Sequence, residues 1–178
     1  ATGLYGEKRR GMVEKFGLDD HVEIQMGTMG KAIGSAGGYI CGSRALIDLM
    51  VHRLRPFMFS TAPVPAQVAA ARAGIELVQS DDGLERCAKL WGLAGRLTDG
   101  LIRRGWELPA VTGAILPIKI GEEKATVAVS KRLLEAGILV PAIRYPTVAR
   151  DKARLRLTVS AAHEPEDIDQ LLEALGDA

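Results

Sequence analysis

Six glycines fall between Gly27 and Gly42, with a single lysine, Lys31, among them in Gly27-Thr28-Met29-Gly30-Lys31-Ala32. Such a density denies the segment a regular helix and dictates tight turns with close main-chain approach, because glycine tolerates positive φ and lacks a Cβ. A lysine in such a turn, with a hydroxyl residue three positions earlier, offers an amine nucleophile beside groups able to bind an anion. Lysine suits this role because its pKa falls when it is desolvated. Two other readings compete. A nucleotide phosphate loop requires Gly-x-x-x-x-Gly-Lys-Ser/Thr, but Gln25 replaces its first glycine and Ala32 its hydroxyl residue. A glycine-rich connector with a solvated lysine satisfies the local pattern equally well.

The rest of the 178-residue chain narrows the choice. Its length suits one ordinary domain or parts of two. A formal net charge of +1 gives no electrostatic case for nucleic acid or an acidic membrane surface. No apolar run reaches membrane-spanning length, and Glu7, Lys8, Arg9 and Arg10 interrupt any early signal core. A cytoplasmic protein is the expectation. Cys41 and Cys87 lie among apolar residues and are expected to be buried and reduced. With His21 and His52 outside any motif, no metal-ligand spacing occurs.

Periodicity supplies the elements. Val22–Met26 and Gly38–Cys41 read as short strands, and Ser43 as the N-cap of a helix running to Arg55. A small-residue helix over Gln67–Val78 is expected to be buried nearly all round. Leu84, Cys87, Ala88, Trp91, Ala94, Leu97, Leu101 and Ile102 trace one face of a long helix. Strands are expected at Ala114–Ile120, Ile138–Arg144 and Arg154–Ser160, with a helix over Glu122–Ala136 and another from Pro165. The Arg154–Ser160 strand alternates, placing Leu155, Leu157 and Val159 on one face and Arg154, Arg156 and Thr158 on the other. The seam near Gln79–Gly83 divides residues 1–78 from a small α+β domain at 79–178.

Several runs, in this order, resemble the α-oxoamine synthase family. They are Ala1-Thr2-Gly3, Gly27–Ala32, Gly37-Gly38, Arg55-Pro56-Phe57-Met58-Phe59-Ser60-Thr61, Ile143-Arg144-Tyr145-Pro146-Thr147-Val148 and Ala153–His163. The resemblance implies an α/β fold: the C-terminal part of an aspartate-aminotransferase-like, fold type I, pyridoxal-phosphate-dependent transferase. Residues 1–78 would complete the large cofactor-binding domain and 79–178 would form the small one. It implies that an Asp and a His contacting the cofactor ring precede residue 1. It also implies a homodimer with shared active sites.

The same resemblance implies roles for individual residues. Lys31 would carry pyridoxal 5'-phosphate as a Schiff base, and Thr28 would bind the phosphate. Ser60 and Thr61 would reach the phosphate of the neighbouring subunit; as local features they could equally cap the helix after Pro63. Arg156 would hold the amino-acid carboxylate, a pairing suited to the bidentate guanidinium. Thr147 would contact substrate, with a plain turn residue as the alternative. His163 reads as structural, leading into the Pro165 helix. The implied reaction is decarboxylative condensation of an amino acid with an acyl-CoA thioester. The Ile143–Val148 and Arg154–His163 runs resemble the branch using L-alanine and a pimeloyl thioester, whereas Tyr145 is similar to the glycine and succinyl-CoA branch. A non-catalytic subunit is a second hypothesis, against which the presence of Lys31 argues.

Overall fold

The computed structural model describes residues 1–109 and 113–178. They divide into two compact units, residues 1–85 and 86–178.

The first unit opens with a coiled segment closed on itself by Gly3 N–H to Arg9 O (2.8 Å) and Gly11 N–H to Tyr5 O (2.8 Å). A short helix α1 (Met12–Lys15) and a 3-10 turn (Asp19–His21) follow. Glu14 draws this segment together by accepting from the N–H groups of Lys8 (2.7 Å) and Arg10 (2.9 Å). The Lys8 N–H is the main cause holding the Glu14 carboxyl below its ordinary pKa. Strands β1 (Ile24–Thr28) and β2 (Gly38–Gly42) form an antiparallel pair in which Gly27 faces Tyr39 and Thr28 faces Gly38.

Ser43 then caps α2 (Arg44–Arg53), its Oγ accepting from Leu46 N–H. The expected continuation to Arg55 breaks at Leu54, whose ψ of 98° is extended, as the residue preceding Arg55-Pro56 starts a separate short helix, α3 (Arg55–Met58). Helix α4 (Pro65–Gln79) begins with proline at its first position, where a missing N–H costs nothing. Only Ala71 of α4 is buried, contrary to the expectation of burial all round. No described residue packs over its remaining faces closely enough to exclude solvent. The carbonyls ending α4 are satisfied by Arg9, whose guanidinium donates to Val78 O (2.8 and 3.1 Å) and Ser80 O (3.2 Å).

The second unit holds the main core. Helix α5 (Asp81–Arg103), which belongs to this unit from Arg86 onward, precedes β3 (Ile115–Gly121), α6 (Glu123–Glu135), β4 (Ala142–Ile143), β5 (Ala153–Thr158) and α7 (Pro165–Leu175). The strands form an antiparallel sheet in the order β3-β5-β4. Leu116 pairs with Leu157 and Ile118 with Leu155, so one sheet face is apolar. It packs with Leu97 and Leu101 of α5, Leu133 of α6 and the Ile168, Leu171, Leu172 and Leu175 stripe of α7. Full burial of each such side chain contributes about 1.5–3 kcal/mol.

Three details modify the sequence reading. The inner face of α5 includes Leu90 and Leu93, while Leu84, Ala88 and Ile102 are exposed, so the stripe is rotated from the one expected. Strand β4 shrinks to two residues because Pro141 has no N–H for the ladder; its carbonyl instead accepts from Arg156 N–H (3.0 Å). Leu139, expected within that strand, is 80% exposed. The cysteines also differ: Cys41 is exposed and Cys87 half-buried.

The helix termini follow their local sequences. Gly137, at φ 81°, ends α6 as Gly137 N–H donates to Leu134 O and Ile138 N–H to Leu133 O. At α7, Glu164 and Asp167 form a capping box around Pro165.

Candidate active site

Lys31 lies in the connection between β1 and β2. Thr28, the last residue of β1, turns its side chain back so that Oγ1 accepts from Gly30 N–H (3.1 Å). Beyond it the backbone is held by Met29 N–H to Gly37 O (2.9 Å), Ser35 N–H to Met29 O (2.8 Å) and Gly34 N–H to Lys31 O (2.9 Å). These bonds fold the glycine-rich segment into a hydrogen-bonded turn. Ile33 is its one buried residue, and Lys31 itself is exposed. The desolvated surroundings expected for the lysine are therefore not supplied by the described residues. Its amine makes no hydrogen bond or ion pair among them.

The chemistry of this donor set suits an anionic aldehyde. A primary amine with no competing partner can add to the carbonyl carbon. Thr28 Oγ1 accepts from the backbone, so its own proton stays available to an anion. Residues present in the turn thus fit pyridoxal phosphate at both its aldehyde and its phosphate.

Ser60 and Thr61 also lie in the first unit and are exposed. Neither caps α4, whose N-cap is Val64 with no side-chain bond. Ser60 Oγ donates to Phe57 O (3.0 Å), closing α3, and must rotate to donate elsewhere. Thr61 carries no such local bond.

Thr147 and Arg156 belong to the second unit. Thr147 N–H donates to Arg144 O (2.9 Å), closing the turn through Tyr145 and Pro146, and Arg150 stacks over the Tyr145 ring at 4.6 Å. Arg156 sits in β5 opposite Pro117, on the sheet face away from the core. It is exposed and its guanidinium has no partner among the described residues. Its neighbour Arg154 is half-buried, opposite Lys119, and donates through Nε to Lys152 O (3.1 Å). Of the two arginines, Arg156 has the unencumbered group. His163 Nδ1 accepts from Ser160 N–H (3.2 Å) in the turn before α7.

The structure thus joins Thr28 and Lys31 in one turn, while Ser60 and Thr61 stand on another segment and Thr147 and Arg156 on the second unit. Sequence reasoning missed Tyr39, whose ring covers Gly27 and whose hydroxyl lies 3.4 Å from Thr2 Oγ1. It also missed Ser35, whose Oγ donates to Gln67 O (2.7 Å), and Gly74, where an added Cβ would overlap Ile33 O. Only the strand register and the docking of α4, both tertiary, single them out. Among the described residues no cluster of His, Cys, Asp or Glu could hold a metal ion, and no helix is long and apolar enough to cross a membrane.

Known proteins give a consistent frame. The family model for aminotransferase class I and II matches residues 1–175. The chain is 43% identical to 8-amino-7-oxononanoate synthase of Thermoanaerobacter pseudethanolicus, over 98% of this chain and 44% of that one. A structure described as SPT with PLP internal aldimine superposes with a TM-score of 0.91 at 26% identity, covering 98% of this chain and 44% of the other. The 8-amino-7-oxononanoate synthase of Francisella tularensis, at 22% identity and a TM-score of 0.86, shares the fold over 98% of this chain and 51% of its own. The chain spans about half the length of the relatives it matches. The fold matches the corresponding part of fold type I pyridoxal-phosphate enzymes.

Proposed function

The chain belongs to the aminotransferase class I and II family, and we propose that it carries the cofactor lysine of a pyridoxal-phosphate-dependent α-oxoamine synthase. The observation that carries this reading is the unpartnered Lys31 amine in a turn buttressed by Thr28, within a chain 43% identical to an 8-amino-7-oxononanoate synthase. The favoured reaction is L-alanine plus a pimeloyl thioester to 8-amino-7-oxononanoate, carbon dioxide and the free thiol carrier. Its place would be in biotin biosynthesis.

When bound, pyridoxal phosphate supplies an electron sink that stabilises negative charge at the amino-acid Cα. The chain's own residues do the rest. Lys31 Nζ would hold the cofactor covalently and, as a free amine, would be a base able to move the Cα proton. Thr28 would hydrogen-bond the phosphate through its hydroxyl, and Thr61, with Ser60 after rotation, would donate to the phosphate held by the neighbouring subunit. Arg156 binds the substrate carboxylate through paired N–H groups and fixes which bond at Cα is presented for reaction. Thr147 orients the substrate beside it. Arrangement as a cytoplasmic homodimer with shared sites belongs to the same proposal.

Tyr145 supports a second reading, glycine with succinyl-CoA. Assaying the complete protein with L-alanine, glycine and L-serine against pimeloyl-CoA, succinyl-CoA and palmitoyl-CoA separates the branches. Carbon dioxide release dependent on L-alanine and pimeloyl-CoA is expected. Turnover confined to glycine and succinyl-CoA would move the enzyme to the second branch, and no release with any pair would overturn both readings.

A further inference from the structure

Glycine is the poorest helix former after proline in a helix interior. Gly74 nevertheless occupies the middle of the 15-residue α4. Its surroundings give the reason: a Cβ at this position would overlap the carbonyl oxygen of Ile33, two residues after Lys31, and press on the Ile33 side chain. One helical turn away on the same face lies Ala71, the buried residue of α4. One turn further is Gln67, whose carbonyl accepts from Ser35 Oγ at 2.7 Å. Gln67, Ala71 and Gly74 are spaced four and three apart, the spacing of a single helix face. That face meets the turn at two points on the C-terminal side of Lys31, one steric at Ile33 and one a hydrogen bond at Ser35.

We propose that this face of α4 is the seat of the Lys31 turn, and that Gly74 and Ser35 are positioning residues that set where Lys31 Nζ points. The inference rests on the reading of Lys31 as the cofactor-bearing residue. Gly34 N–H donates to Lys31 O, so a displacement of Ile33 passes through one short hydrogen-bonded turn to the lysine backbone. A Cβ on Gly74 cannot be accommodated by rotating a side chain, because the group it meets is backbone. The helix must lift or the turn must move. Gly92 and Gly95 of α5 differ, having nothing within 4 Å of an added Cβ, and so provide a control for glycine replacement in a helix.

The test uses the complete protein loaded with pyridoxal phosphate, in wild-type form and as Gly74→Ala, Ser35→Ala, Ser35→Thr and Gly95→Ala. Two quantities are read: the pH midpoint of the visible band from the Lys31–cofactor bond, and the thermal midpoint. Gly74→Ala and Ser35→Ala should move the pH midpoint by about half a unit or more, since the lysine nitrogen then meets different neighbours. Gly95→Ala should leave it unchanged, and Ser35→Thr, which keeps the hydroxyl, should restore it. Thermal shifts without a change in pH midpoint would show a purely structural role and overturn the inference. If Gly74→Ala does not fold, Ser35→Ala against Ser35→Thr decides alone. Borohydride reduction of the wild type keeps the two levels apart. No label on Lys31 overturns the functional reading and this inference with it; a labelled wild type with unmoved variants overturns this inference alone.

Discussion

The ring of Tyr39 lies across the Cα of Gly27, its directly opposed partner in the β1–β2 ladder, leaving no room for a side chain there. The pair closes the strands just before the Thr28–Lys31 turn and brings the Tyr39 hydroxyl to Thr2 Oγ1, tying the first residues to the hairpin. Gly27→Ala should therefore displace the ring and destabilise the protein by about 1–3 kcal/mol, the usual cost of overpacking. Tyr39→Ala in the same background should relieve the clash. Denaturant unfolding of the single and double variants checks this; additive losses would show that the two residues do not oppose each other.

The long helix provides a second check. Leu97 is fully buried, whereas Ile102 is 58% exposed. Leu97→Ala should cost about 2–5 kcal/mol, and Ile102→Ala about 0.5 kcal/mol or less, read as unfolding free energies. A comparable loss at Ile102 would restore the helix face expected from the sequence.

A pH effect follows from Arg96 and Asp169. Arg96 of α5 holds Asp169 of α7 through two hydrogen bonds (2.9 and 2.6 Å). This bonding is the main cause that lowers the Asp169 carboxyl below its ordinary pKa and raises that of Arg96. A carboxyl depressed in the folded state stabilises it above the unfolded pKa, and the contribution disappears as pH falls through the folded value. Asp169→Asn should reduce stability at neutral pH, and the difference from wild type should shrink in acid below the carboxylate range. Both groups are exposed, so added salt should also diminish it. Thermal midpoints across pH and salt test the point, and a difference that grew in acid would contradict it.

Much of this architecture was legible in the sequence because the signals are local. Strand alternation at Leu155, Leu157 and Val159, the Gly137 stop and the acidic start of α7 each depend on neighbours within a few residues. Where the reading failed, the deciding partner was distant. The rotation of α5 toward Leu90 and Leu93 depends on which stripe meets the sheet, since both candidate stripes have helical spacing. Strand β4 was overextended because an apolar run does not reveal that Pro141 leaves its ladder incomplete. The Lys31 turn is visible from its glycines, but its seat on Gly74 is not, because a lone glycine in an alanine-rich helix gives no hint of a backbone contact with Ile33, far away in sequence.

Arg156 and Arg154 make the substrate reading specific. If Arg156 binds the carboxylate, Arg156→Ala in the complete protein should weaken amino-acid binding by roughly tenfold to a hundredfold, corresponding to about 1.5–3 kcal/mol for a charge-assisted contact. The cofactor spectrum should not change. Arg154→Ala removes a guanidinium already engaged with Lys152 O and should cost much less in binding. Spectral titration with L-alanine compares them, and equal losses would sink the assignment of Arg156.

The most direct measurement is the site of covalent attachment. The complete protein, loaded with pyridoxal phosphate and reduced with borohydride, is digested and its peptides are weighed. The account predicts a phosphopyridoxyl group on Lys31 and none in the Lys31→Ala variant. A label on another lysine, such as Lys89 on α5, or an unlabelled wild-type protein, would contradict it.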